Sequence, residues 1–422
     1  MCAAKRQVRG DGLLRQRDFR HLWAADAISQ LGSRASYLAL PLLAVVTLQA
    51  TTFEVSLIKT LQTLAYLLLG LQVGAWCDRM RRRPVLVVAD LGRALALGSI
   101  PLAAAFGVLT LWQFYAAVFV TGVLTVFFDV AHQSYLPRLV ERDRLIDGNA
   151  MLRTNQSVAA VAAPTVAGAL VQWFGAPAAV LLDAASYLWS VLWLRGIRAP
   201  EPKPLPVPRS LRREIREGMA VVLGDPILRA ISFSNATLAL CQNLNSAILI
   251  VFLVREVGLS PGLIGLLSSC GLIGAVVGAT LARRLTALVG GGRLLWIALI
   301  VEGLAYLCYP LVGTGWRVVF LPVAGFVASV CVIVVIVVQV SFQQARCPDE
   351  LMGRVNATMN FLYWGMAPVG SIAAGLLATT IGFRPTLLLA GLGVLLSATW
   401  LLASPARRLR DLPTAQATAD AN

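Results

Sequence analysis

Charge is scarce in this chain. Only 14% of its 422 residues are Asp, Glu, Lys or Arg, about half the share of an ordinary soluble protein, while 58% are hydrophobic and the mean hydropathy is +0.74. A soluble globular domain is therefore excluded. Histidine is scarcer still, with only His21 and His132, too far apart to suggest a metal site. Seven cysteines form no CxxC pair and no zinc-like spacing, and most lie in apolar runs, as small membrane-embedded side chains do. The chain has no HExxH, no GxSxG and no phosphate loop; Gly290-Gly291-Gly292 is not followed by Lys-Ser/Thr. These absences speak against hydrolase and ATPase chemistry. A net charge of +15 lacks the aromatic interleaving of a single-strand nucleic-acid surface, so neither nucleic acid nor a cofactor is expected.

What the chain has in abundance is long apolar runs. A hydrocarbon core about 30 Å thick needs roughly 20 apolar residues per helix. Spans are predicted at 21–46, 54–77, 84–108, 111–136, 151–172, 177–195, 227–254, 261–283, 294–313, 317–341, 357–380 and 384–403. The first twenty residues are basic and polar and the first run is too long for a signal core, so a retained first span is expected. With both termini on the cytoplasmic side, the segments on that side hold 28 Lys and Arg and those on the other hold three: Arg255, Arg317 and Arg384. Positive residues stay inside, so this orientation and an even number of spans are expected. The chain divides into a tail at 1–20, a six-helix bundle at 21–195, a central loop at 196–226, a second bundle at 227–403 and a tail at 404–422. The central loop opens proline-rich, and Leu211, Ile215 and Met219 then recur four apart, which predicts an amphipathic surface helix whose arginines attract anionic lipid head groups.

The two halves repeat faintly. A shift of 207 residues aligns Asn149-Ala150 with Asn356-Ala357, Gly168 with Gly375, Gly175 with Gly382, and Trp193-Leu194 with Trp400-Leu401. This order suggests a duplicated six-helix unit.

Between the second and third spans lies Gly74-Ala75-Trp76-Cys77-Asp78-Arg79-Met80-Arg81-Arg82-Arg83-Pro84. So many charges must sit at the membrane surface. The layout resembles the span 2–3 loop of the major facilitator superfamily, Gly-x-x-x-Asp-Arg-x-Gly-Arg-Arg, with Gly74, Asp78, Arg79, Arg82 and Arg83 matching and Arg81 in place of the second glycine. That variant, together with Phe128-Asp129, Gln133-Ser134-Tyr135-Leu136-Pro137 and Gly148-Asn149-Ala150, is similar to the branch of macrolide-efflux and enterobactin-exporter-like drug antiporters. The resemblance implies an all-α fold of twelve transmembrane helices in two pseudo-symmetric six-helix bundles, both termini cytoplasmic, in the inner membrane of a bacterium. It also implies that the 74–83 loop is a conformational switch and that Asp129 pairs with its arginines in one state. One departure concerns span 5, where antiporters often carry Gly-Pro and this chain has Ala163-Pro164, with Gly168 one turn on.

Charges inside spans are costly and mark functional candidates. Asp26, Gln30 and Arg34 are four apart on span 1 and form one polar stripe: Asp26 could carry a proton or bind a cation, and Arg34 could bind an anion. Asp90 and Arg93 are three apart and can pair locally. Asp183 and Glu302 lack a same-helix partner. Glu302 lies mid-span, where a carboxylate is expected to be protonated or paired, so Asp26 and Glu302 are the proton-coupling candidates. Asn235, Gln242 and Asn245 share a face of span 7, and Asn360 and Tyr363 a face of span 11; these residues either line a substrate cavity or bond neighbouring helices. The expected function is proton-driven export of amphipathic small molecules by a monomer that contacts its substrate, protons and membrane lipids. Siderophore or metabolite export, nutrient uptake and, more remotely, a membrane-embedded enzyme are the alternatives.

Overall fold

The computed structural model describes residues 13–77, 79–141, 144–199, 201, 211–346 and 349–408. Among them there is no β-strand. The long helices of the first half are α1 (Arg17–Val46), α2 (Thr52–Cys77), α3 (Arg82–Ala105), α4 (Leu111–Leu139), α5 (Leu145–Phe174) and α6 (Ala176–Arg195). A shorter α7 (Leu211–Gly224) follows, and the second half contains α8 (Pro226–Arg255), α9 (Pro261–Val289), α10 (Gly291–Tyr306), α11 (Phe320–Arg346), α12 (Asp349–Thr380) and α13 (Phe383–Leu402). The described residues include 10 helices long and apolar enough to cross a membrane. Neither α1 nor α2 is among the ten; they carry Asp26, Arg34, Glu54 and Lys59.

Local chemistry sets the helix ends. The Asp225 carboxylate accepts from the Ile227 and Leu228 amides at 2.8 and 2.9 Å, and Pro226 opens α8. Thr110 and Ser260 cap α4 and α9 in the same way. The span expected at 294–313 ends as an α-helix at Tyr306, and a short 3-10 turn at Tyr309–Leu311 follows around Pro310, which has no amide to continue the helix. Gly175 joins α5 to α6 at φ 83°, and its repeat partner Gly382 joins α12 to α13 at φ 90°. This left-handed conformation favours glycine.

The repeat governs packing as well. In the first half α1 packs on α5 and α6, α3 on α4 and α6, and α2 on α4. In the second, α8 packs on α12 and α13, α10 on α11 and α13, and α9 on α11. The two bundles are thus the same arrangement used twice, and they meet along two further crossings, α5 with α9 and α2 with α12.

Glycine permits both crossings. A Cβ on Gly168 would lie 3.0 Å from the Gly265 Cα of α9. One on Gly375, its repeat partner, would lie 2.9 Å from the Ser56 Cβ of α2. Within the second bundle, Gly271, Gly274 and Gly278 of α9 press directly on the α11 backbone at Gly325, Phe326 and Val330, the close packing that small residues permit between helices.

The buried apolar residues separate into three clusters. One is shared by both halves and lies at the ends of the helices away from the described chain ends; it runs from Ala35–Ile58 through Leu244–Ile264 to Ala374–Ala390. The other two lie toward the face of the chain ends. One contains only first-half residues, such as Phe19, Phe128 and Leu194, and the other only second-half residues, such as Ile231, Phe342 and Leu401. The bundles are joined by a continuous core on one face and divided on the face of the chain ends. On the joined face the Arg255 guanidinium donates to the Ala50 carbonyl at 2.5 Å, tying the end of α8 to the α1–α2 loop.

Candidate functional site

The first bundle holds four acidic side chains at membrane depth, each with a different partner. Asp26 is 2% exposed. It accepts from Asn155 Nδ2 of α5 at 3.0 Å and from Gln30 Nε2 at 3.2 Å, and His132 Nε2 of α4 stands 3.7 Å away. Asp90 pairs with Arg93, whose guanidinium lies between the Phe128 and Tyr187 rings at 4.1 and 4.2 Å. Asp183 of α6 accepts from Ser36 Oγ of α1 at 2.5 Å and from Ser186 at 3.3 Å. Gly32 makes this approach possible, since a Cβ there would lie 2.7 Å from Asp183 Oδ1. Asp129 accepts from the Tyr66 hydroxyl of α2 at 2.5 Å. Tyr66 stacks on Trp364 of α12, centroids 5.4 Å apart, and so reaches the other bundle. A cavity of about 70 Å³ lies among these groups, lined by Ser33, Tyr37, Gln62, Tyr66, Asp183 and Tyr187 among others. It has room and polar partners for water.

Among the described residues, the second bundle has one acidic group at this depth. Glu302 of α10 is fully buried. Its Oε1 accepts from Gln242 Nε2 of α8 at 2.7 Å, and the Gln242 Oε1 accepts from the Tyr363 hydroxyl of α12 at 3.1 Å. Three helices are thereby linked through one chain of hydrogen bonds, while Glu302 Oε2 has no partner.

Three residues picked from sequence thus converge: Glu302, Gln242 and Tyr363. Two others are committed to packing in this state. Asn235 exchanges two hydrogen bonds with Gln339 of α11, at 3.1 and 2.8 Å. Asn245 is 3% exposed, with its Nδ2 unpaired. Asn360 is exposed. Gln30 is spent on Asp26. Arg34 is exposed and, among the described residues, forms no ion pair. Sequence reasoning passed over Lys59, His132, Asn155 and Tyr66. Lys59 was visible as a charge inside a span, but the other three carry no sequence signal beyond being polar.

In the loop, Asp78 lies outside the described residues. Gly74 is half-buried, and a Cβ there would meet nothing within 4 Å. Arg79 is exposed. Arg83 donates from Nε to the Leu194 carbonyl at 3.1 Å and from Nη2 to the Arg195 carbonyl at 2.5 Å, satisfying carbonyls at the end of α6. The Glu201 carboxylate accepts from the Arg82 and Arg83 amides at 3.1 and 3.2 Å. An acid at a helix N-terminus is favoured by the unpaired amides and the helix dipole, and it tethers the start of the central segment to α3.

Comparison with known proteins agrees with this architecture. The sequence profile of the Major Facilitator Superfamily matches residues 22–367 and 231–421. The chain is 27% identical to the multidrug efflux pump Tap of Mycolicibacterium fortuitum over 394 residues, 86% of this chain and 90% of that one. It is 22% identical to macrolide efflux protein A of Streptococcus pyogenes over 390 residues, 88% and 92% of the two chains. It is 26% identical to the enterobactin exporter EntS of Citrobacter koseri over 320 residues, 72% of each. Among solved structures, the nucleoside transporter NupG superposes with a TM-score of 0.75 at 12% identity, covering 91% of this chain and 98% of that one. A bacterial homologue of the iron transporter ferroportin, solved in an inward-facing state, gives 0.74 at 19% identity, covering 93% and 99%. At such identities these two likenesses speak for the fold alone. Two like bundles, apolar spanning helices and a profile match along most of the sequence lead to one conclusion: the chain is a multi-pass membrane transporter, not an enzyme, and belongs to the major facilitator superfamily.

Proposed function

We propose that this transporter exports amphipathic small molecules across a bacterial cytoplasmic membrane by proton antiport, alternating between a state open inward and a state open outward. In this reading the chain works as a monomer with twelve spans, α1 and α2 included, and both termini in the cytoplasm; the bundles are 21–195 and 227–403. The observation that carries the proposal is the asymmetry of the core, one cluster shared on one face and two separate clusters on the other. With the Lys and Arg bias setting orientation, the divided face is cytoplasmic, where an exporter takes up its substrate.

The switch role proposed for Gly74, Asp78, Arg79, Arg82, Arg83 and Asp129 fits this state. Open space over Gly74 leaves room for the second bundle to dock when the cytoplasmic face closes, and Asp129, held here by Tyr66, would then be free to exchange partners. Glu302 is the preferred proton carrier, because one of its oxygens is unpaired while Asp26 is held by Gln30 and Asn155. Protonation of Glu302 would disturb its bond to Gln242, and through Gln242 the bond from Tyr363, and so link its charge to the packing of α8, α10 and α12. The other cavity candidates, Gln30, Arg34, Asn235, Asn245 and Asn360, are proposed to meet substrate in one state or another. Lipid contact is proposed at α7 and at the surface pocket of about 350 Å³ lined by Arg81, Arg83, Arg195 and Glu201.

Inverted membrane vesicles test the reading. Energised vesicles holding the protein should accumulate a hydrophobic dye or a macrolide against its gradient, and an uncoupler should abolish the accumulation. Accumulation that persists with an uncoupler would exclude proton coupling; uptake that runs only out of inverted vesicles would make the protein an importer.

A further inference from the structure

Among the described residues, two cations at membrane depth, Arg34 of α1 and Lys59 of α2, form no ion pair. Tyr37, one turn after Arg34, joins the two: its ring lies 5.0 Å from Lys59 Nζ and is half-exposed. Two acids of the first bundle are engaged elsewhere, Asp183 by Ser36 and Ser186 and Asp129 by Tyr66.

Position adds to the argument. Ser36 and Ala35 are buried against the rest of the first bundle, whereas Arg34 and Tyr37 are exposed. Because α1 packs on α5 and α6 and also touches α2, α4 and α8, its exposed stripe faces the space between the bundles. Lys59 follows Ser56, which is buried in the crossing beneath Gly375, by three residues, about 4.5 Å of helix. The two cations therefore stand just below the joined face, at the blind end of the space that opens between the bundles. Two like charges on neighbouring helices repel one another. An anion between them would relieve that cost, and the Tyr37 ring would offer it an apolar surface.

We propose that Arg34 and Lys59 form the head-group site for an anionic amphipathic substrate, a molecule with a carboxylate, sulfonate or phosphate on an aromatic or aliphatic body. This deepens the exporter reading and rests on it for direction of transport, but binding alone can test the site. Two dyes share one skeleton and differ in charge: 8-anilinonaphthalene-1-sulfonate is anionic and N-phenyl-1-naphthylamine is neutral. Equilibrium dialysis against the protein in lipid nanodiscs, with empty nanodiscs subtracted, should give the sulfonate an affinity about tenfold above that of the neutral dye, the worth of a charge-assisted contact. In the double variant Arg34→Gln/Lys59→Gln the ratio of the two affinities should fall toward one, and in Arg34→Lys/Lys59→Arg it should be kept. Equal binding of the dyes by the unaltered protein, or an unchanged ratio in the Gln variant, would overturn the proposal. Energised inverted vesicles separate the two readings. A charge-dependent binding ratio with no dye accumulated keeps the site and removes the exporter; accumulation of both dyes alike, with no loss in the Gln variant, keeps the exporter and removes the site.

Discussion

At the scale of single residues, the membrane-depth charges divide into those that hold the fold and those left free to act. Arg93 belongs to the first group. Its guanidinium is enclosed by Phe128 and Tyr187 and paired to the fully buried Asp90. Removing one member of a buried pair strands the other charge, at a cost of about 3–5 kcal/mol. Arg93→Met should therefore lower the melting temperature clearly, and adding Asp90→Leu should restore most of the loss; equal melting temperatures for the single variant and the unaltered protein would refute the structural assignment. Glu302 belongs to the second group. Glu302→Gln should keep downhill substrate exchange and lose uphill efflux, because it removes a titrating proton site but keeps an amide within reach of Gln242. Uphill efflux with the ordinary pH dependence in that variant would pass the proton role to Asp26. The Asp90–Arg93 pair was legible in the sequence because its members are one helical turn apart. The cross-helix partners of Asp26, Asp129 and Asp183 were not, since Asn155, Tyr66 and Ser36 come from other helices and no sequence period links them.

At the scale of helices, hydropathy located each long helix to within a few residues at most ends. The larger differences are of two kinds. The span expected to end at 313 stops as an α-helix at Tyr306, ahead of Pro310. In the other direction, α5 begins at Leu145 and α12 at Asp349, ahead of the expected 151 and 357, and α9 and α11 run on to Val289 and Arg346, past the expected 283 and 341, because hydropathy sees only the part of a helix that meets hydrocarbon and these ends carry polar residues. The faint repeat proved informative about contacts: Gly168 and Gly375 are the close-approach residues of the two inter-bundle crossings, and Gly175 and Gly382 are equivalent left-handed turns. Gly74 presents the opposite case, a half-buried glycine near a helix end where an added Cβ would meet nothing within 4 Å. If it serves a contact made only when the divided face closes, Gly74→Val should fold with a near-normal melting temperature and transport at least about tenfold more slowly, since even 1.4 kcal/mol against the closed state has that effect. Full transport by the variant would show that the loop does not make that contact.

At the scale of the whole molecule, the sequence disclosed the two bundles through its repeat and the family through its loop, but it could not disclose which face is closed. One sequence must stabilise both ends of a cycle, and the choice between them rests on apolar contacts distributed over many helices. Here the shared cluster joins the bundles on the face away from the chain ends, while the other two clusters stay apart. The central claim is that this is one of two interconverting states. Paired spin labels in a cysteine-free background test it most directly, one pair at Val108 and Thr314 on the joined face and one at Glu141 and Leu288 on the divided face, all exposed positions. Electron–electron distance distributions, recorded with and without a transported substrate and across a pH series, should show the first pair lengthening as the second shortens. Two pairs that stay fixed, or that lengthen and shorten together, would contradict alternating access in this protein.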